Sequence, residues 1–111
     1  PQEVRTIEAV QQLYPALKQV ACFDTAFHRQ MPDLAQMYGL PRHLQDKGVI
    51  RYGFHGLSCE YLTRELRRQA GPEAADSRLV IAHLGNGASM TAVQHGKCVD
   101  TTMGFTPAGA W

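Results

Sequence analysis

The stretch His83-Leu84-Gly85-Asn86-Gly87-Ala88-Ser89-Met90, HLGNGASM, follows the apolar run RLVIA and leads into TAVQ. Two chemistries compete for it. Gly85 and Gly87 permit positive φ and leave a bare backbone, so successive N–H groups can face an anion while Asn86 adds an amide and His83 an imidazole donor. Against a phosphate cradle, the Lys and Ser/Thr of a Walker loop are absent and Asn-Gly is the commonest hairpin turn. On this pattern alone the turn is the stronger reading. Either way β runs flank the loop: RLVIAHL before it and ASMTAVQ after it, with KCVDTT joined to the second across a two-residue turn at His95-Gly96.

Upstream of the β runs, Gly71-Pro72 stops a helix over CEYLTRELRRQA, with Ser58 placed to cap it and Cys59, Leu62, Leu66 and Ala70 spaced as its buried stripe. Arg64, Arg67 and Arg68 read as its solvated face. Before it, IRYGFHG is a short extended segment broken at Gly53 and Gly56, and the Pro- and Gly-punctuated stretch 25–48 holds two short helices opening at Pro32 and Pro41. QVACFD is a short apolar run suited to a buried strand that delivers Asp24 at its end. At the start, Val4, Ile7, Val10 and Tyr14 recur at three- and four-residue intervals, the stripe of an amphipathic helix that Pro15 ends.

Composition narrows the function classes. The chain has 111 residues, 44% hydrophobic and 19% charged, with a formal charge of +1. That suffices for one modest core and gives no basic stripe for nucleic acid or membrane surfaces. No apolar run approaches the roughly 18 residues of a membrane span, so the expected compartment is the cytoplasm. Cys22, Cys59 and Cys98 show no C-x-x-C spacing, and the five histidines show no pair spaced to put two metal ligands on one helical face. Reduced thiols and no intrinsic transition-metal site are expected. The chain begins at Pro1 and stops at FTPAGAW, which suggests a piece of a longer protein.

Three other motifs offer chemistry. FDTAFH sets Asp24, Thr25 and His28 within six residues, where Asp24 could hold Mg²⁺ and Thr25 could donate to a phosphate, or Asp24 could close an Asx turn. YGFHGLS places His55 at a helix N-terminus, where free N–H groups and the helix dipole favour an anion, though a turn histidine fits as well. DTTMGFTP could offer Asp100, Thr101 and Thr102 to a phosphate, or be a polar strand end.

Taken in order, VACFDTAFHRQMP, RYGFHG, VIAHLGNGASMTAV and GKCVDTTMGFTP resemble the acetate and propionate kinase family over nearly the whole chain from Val20 onward. The resemblance implies an α/β fold, part of a two-lobed ribonuclease-H-like ATPase fold shared with actin, sugar kinases and heat-shock proteins. Residues 1–24 would end the first lobe and residues 25–111 begin the second. The implied reaction is reversible transfer of the ATP γ-phosphoryl group to acetate with Mg²⁺, giving acetyl phosphate and ADP, in a parent that is a homodimer. Carried over by motif, Asp24 and His55 are catalytic, with Asp24 also the candidate Mg²⁺ anchor. His83, Leu84, Gly85, Asn86 and Gly87 form the phosphate loop, and Phe54 and Pro107 belong to the pocket for the acetate methyl group. Thr102 stands where the family commonly has Ser. The family's MGTRSGD segment, with its arginine, and its adenosine-binding part lie outside this sequence, so the isolated chain is expected to be inactive. A non-catalytic module of the same fold, or a kinase preferring propionate or butyrate, is the alternative.

Overall fold

The computed structural model describes residues 1–106. Its elements run α1 (Gln2–Leu13), a 3-10 turn (Ala26–His28), α2 (Asp33–Gln36), α3 (Arg42–Gln45), α4 (Gly56–Ala70), α5 (Pro72–Asp76), β1 (Arg78–Leu84), β2 (Ala88–Gln94) and β3 (Lys97–Thr101). No helix is long and apolar enough to cross a membrane among these residues.

The three β runs form one antiparallel sheet in the order β1-β2-β3. Arg78 pairs with Gln94 and Leu84 with Ala88, so the β1–β2 loop is the three residues Gly85–Gly87. His95 and Gly96 both have positive φ, 50° and 71°, the conformation of a two-residue hairpin turn whose twist matches the strands it joins. A β-bulge interrupts β2–β3 pairing: Ala92 faces Asp100 and Val93 faces Cys98, leaving Val99 unmatched. The extra residue shifts the alternation of β3, which lets both Cys98 and Thr101 be buried on one side.

Side-chain alternation then gives the sheet one covered face and one bare one. Leu79, Ile81 and His83 of β1 and Ser89, Thr91 and Val93 of β2 are buried or half-buried, and Cys59, Ile81 and Val93 with Phe27 and Leu79 make the apolar core. Thr91 and Thr101 satisfy one another inside it through a 3.0 Å hydroxyl pair. Val80, Leu84 and Met90 point the other way and are exposed.

α4 packs on β1 and on the 3-10 turn through a narrower stripe than its apolar spacing suggests. Gly56, Cys59 and Thr63 are its buried residues. Leu66 is only half-buried, Leu62 and Ala70 are exposed, and the two leucines line a groove of about 310 Å³ beside Leu79 and Ile81. Close approach to the sheet selects the face with the smallest side chains. Nor does Ser58 cap this helix: α4 starts two residues earlier, with His55 as its N-cap residue. Its end agrees with the expectation, since Gly71 (φ 88°) breaks it and Pro72 opens α5.

The N-terminal third departs most from its sequence pattern. α1 ends at Leu13 before Pro15, and α2 and α3 follow Pro32 and Pro41, all as expected. QVACFD, however, forms no strand; residues 17–23 carry no regular structure and join no strand ladder among the described residues. A strand is a property of a pair, and β-type sequence without a neighbouring edge leaves its backbone groups to water. The IRYGFHG segment likewise forms no ladder.

Candidate active site

The site is built on the contact between the 24–28 turn and the start of α4. Asp24 Oδ2 accepts the His55 N–H at 2.7 Å, Oδ1 accepts the Leu57 N–H at 3.2 Å, and the Asp24 carbonyl accepts the Gly56 N–H at 2.8 Å. The anion expected at this helix start is therefore the protein's own carboxylate, reaching back from 31 to 33 residues upstream. A side chain at Gly56 has no room, because its Cβ would collide with the Asp24 carbonyl oxygen. The Asp24 carboxylate closes no local Asx turn: both of its N–H partners lie at the start of α4, and the Ala26 N–H goes to the Phe23 carbonyl.

His55 stands at φ 57° and ψ 28°, the left-handed region that costs an ordinary residue roughly 1–2 kcal/mol. Such strain persists only where the surroundings enforce it, as Asp24 does here. From this backbone the His55 ring stacks on His83, with centroids 3.9 Å apart and planes 13° from parallel. His55 Nδ1 lies 2.9 Å from Ser89 Oγ, and His83 Nδ1 lies 3.1 Å from Ser58 Oγ. Ser89 is the cross-strand neighbour of His83, so strand register brings serine and imidazole to the same face.

Both rings turn their Nε2 edges toward the Gly85–Gly87 loop. A Cβ on Gly87 would lie 3.2 Å from His55 Nε2, and one on Gly85 would lie 3.1 Å from His83 Nε2. Neither glycine uses positive φ, contrary to the sequence expectation; what the loop exploits is their missing side chains. The loop closes on itself through Gly85 N–H to Gly87 carbonyl at 3.2 Å, while Leu84 and Asn86 are exposed. HLGNG is therefore a turn and a bare-backbone loop at once.

Burial lowers the His55 pKa below its ordinary 6.5, the charge of His83 lowers it further, and Asp24 opposes both. Neutral imidazole is favoured. A serine hydroxyl that donates to Nδ1 leaves the hydrogen on Nε2, so the pair can present two N–H donors to one anion over the loop.

His28 is buried to 1% exposure behind this platform. Its Nε2 is 2.8 Å from the Phe54 carbonyl and its Nδ1 is 3.0 Å from Cys98 Sγ. Phe54 lines a recess of about 270 Å³ with Tyr38, Ile50, Tyr52 and Phe105. Pro107 lies outside the described residues. The DTTMG groups are engaged in structure: Thr102 Oγ1 accepts the Met90 N–H at 3.0 Å, and Asp100 Oδ1 accepts the Thr101 N–H at 2.8 Å. That segment is the polar strand end.

The structure thus joins Asp24, His55, His83, Gly85 and Gly87. Sequence reasoning missed Ser58 and Ser89 as imidazole partners, grouped His28 with Asp24 without giving it a role, and did not link it to Cys98. Only Ser89 left a signal, since a hairpin about Gly85–Gly87 sets it opposite His83. Among the described residues no three His, Cys, Asp or Glu side chains gather as a metal cluster, and all three cysteines are free. Asp24 still fits Mg²⁺ as a single ligand, because each carboxylate oxygen has two lone pairs and one on each remains, and Mg²⁺ is commonly held by one or two carboxylates plus phosphates and waters.

Comparison with known proteins gives the family. The acetate kinase of Rhodopseudomonas palustris is 54% identical over 106 residues, covering 96% of this chain and 27% of its own length. That of Clostridium acetobutylicum is 49% identical over 110 residues, covering 98% and 27%. Among crystal structures, Porphyromonas gingivalis acetate kinase superposes with a TM-score of 0.86 at 40% identity, over 94% of this chain and 26% of that one. A propionate kinase from Francisella tularensis gives 0.84 at 41%, over 94% and 27%. The chain therefore spans about a quarter of the length of the relatives it matches, and its fold is part of their two-lobed α/β architecture. Residues 1–110 match the sequence model of the Acetokinase family, and the chain belongs to that family.

Proposed function

We propose that the protein to which this chain contributes is a carboxylate kinase that transfers the ATP γ-phosphoryl group reversibly to acetate. The observation that carries this reading is the stacked His55–His83 pair, with both Nε2 edges turned to a loop that a Cβ at Gly85 or Gly87 would crowd. A carboxyl group titrates near pH ~4, so acetate is already ionised at neutral pH and needs no general base before attack. The task left is to offset repulsion between an anionic nucleophile and a polyanionic phosphate.

In this mechanism His55 and His83 donate from Nε2 to the transferring phosphoryl oxygens, where two preset donors gain strength as charge spreads over them. The N–H groups of Asn86 and Gly87 would line the same anion, the Gly85 N–H being taken by the Gly87 carbonyl. Asp24 would hold Mg²⁺, directly or through its water, and that ion would neutralise phosphate charge. Phe54, with Pro107, would shelter the methyl group. Residues 1–24 end one lobe and residues 25–111 begin the next, in a cytoplasmic homodimer.

The test is acyl phosphate formation by the full-length protein from ATP with acetate, propionate and butyrate. Activity with acetate is expected, and none with any of the three would overturn the reading. One methylene in an apolar pocket is worth about 1–3 kcal/mol, so the kcat/KM ratios decide acetate against propionate. Gly87→Ala should lower kcat by about 10- to 100-fold, since its Cβ presses on the His55 donor. The isolated 111-residue chain should give no acetyl phosphate above a buffer control.

A further inference from the structure

The peptide between Phe54 and His55 is held at both ends by one short turn. Its N–H donates to Asp24 Oδ2 at 2.7 Å, and its carbonyl lies 2.8 Å from His28 Nε2. Asp24 and His28 are four residues apart and joined by a tight local fold, with His28 N–H donating to the Thr25 carbonyl at 3.1 Å. Rotation of a peptide plane moves its N–H and C=O together, so clamping both fixes the plane. The plane fixed here leads directly into the left-handed His55.

We propose that His28 is a positioning residue for His55: its Nε2–H holds the Phe54 carbonyl, and Cys98 holds His28 in the tautomer that makes this possible. The proposal rests on the kinase reading of the site for its effect on rate, and on geometry alone for the tautomer. A carbonyl only accepts, so Nε2 must carry the hydrogen and Nδ1 must accept. The partner at Nδ1 suits that need: Cys98 Sγ lies 3.0 Å from Nδ1, nearer than the 3.6 Å to the Asp100 carbonyl that competes for its one proton. Burial, and then the neighbouring Cys59, push the Cys98 thiol up to about 12, so it keeps the proton it donates. His28 itself is shifted toward the neutral form, chiefly by burial.

The surroundings are shaped to this ring. Gly53 has φ 78°, and a Cβ there would stand 2.6 Å from His28 Cγ, so both its conformation and its bareness serve the imidazole. A core histidine kept only for packing would not require a donor aimed at the carbonyl beside a strained residue. Both ring nitrogens of His28 are taken, by Cys98 and by the Phe54 carbonyl, so its influence on chemistry must pass through the Phe54–His55 peptide.

Three measurements on the full-length protein test this. Long-range ¹H–¹⁵N spectra of the wild type should show His28 protonated at Nε2 and bare at Nδ1; the opposite tautomer overturns the proposal without any variant. His28→Leu should lower kcat about 10- to 100-fold, with the KM values for acetate and ATP within about twofold, the pattern of lost transition-state alignment. His28→Gln, which returns an N–H donor near the Nε2 position, should recover most of that loss. Unchanged kcat in His28→Leu, or equal impairment of the Gln and Leu variants with equal melting temperatures, overturns it. A wild type that makes no acyl phosphate defeats the kinase reading instead, and the tautomer measurement still decides the clamp.

Discussion

The α4–hairpin region, residues 56–101, and the N-terminal region, residues 1–23, have similarly apolar sequences and opposite fates. In the first, Cys59, Ile81, Val93 and Thr91 are buried and every strand has a partner. In the second no residue is buried; Val4 and Ile7 are each 47% exposed along an intact helix. An amphipathic pattern states which face needs covering, and only a partner surface turns that into stability. The hairpin brings its partners within 24 residues, whereas α1 and QVACFD share only a side-chain bond from Gln19 to the Ile7 carbonyl and have no strand or core partner among the described residues.

Substitutions should separate the two regions by size of effect. Val93→Ala, in the core at 2% exposure, should cost about 2–3 kcal/mol in urea unfolding of the chain; a smaller loss than at Ile7 would invert the comparison. Asp24→Ala, which strips two acceptors from the start of α4, should cost about 1–2 kcal/mol, and an unaltered unfolding midpoint would remove Asp24 from its capping role. Ile7→Ala and Val4→Ala should each stay within about 0.5 kcal/mol. If they cost more, α1 has a partner surface in solution, and sedimentation of the chain should then show self-association through its bare faces.

Acidity gives a finer test of the packed region. His28 has its pKa lowered by burial, with the Phe54 carbonyl and Asp24 opposing. Below the unfolded value of about 6.5 the unfolded chain binds the proton more readily than the folded one. The His28 contribution is therefore complete above that pH and declines as pH falls through and below it. The unfolding midpoint should drop between pH 7.5 and 5.5, and His28→Gln should flatten that slope; an equal slope in both proteins would assign the acid sensitivity to other groups.

What was legible in the sequence follows the same division. The periodicity of the three hairpin strands, the His95-Gly96 turn, the Gly71-Pro72 break and the two prolines that open α2 and α3 are local, and each is found where the residues place it. The pairings that shape the site are not local: Ser58 with His83 across 25 positions, His55 with Ser89 across 34, His28 with Cys98 across 70. No periodicity encodes such contacts. Ser58 illustrates the cost, since its place before an apolar stripe reads as a cap, while its hydroxyl in fact serves an imidazole inside the first turn. The glycines of HLGNG were legible as special, but the reason lay in two rings brought in from elsewhere. The motif series grouped Asp24, His55 and His83, which the structure does bring together, because order along a chain carries long-range information that spacing within one motif does not.

The face-to-face imidazoles have one more consequence, a magnetic one. With the rings 3.9 Å apart and nearly parallel, the carbon-bound protons of His55 and His83 sit within each other's ring current. Their resonances should be displaced upfield from ordinary histidine positions, giving the site a built-in ruler whose signal fades when the two rings part.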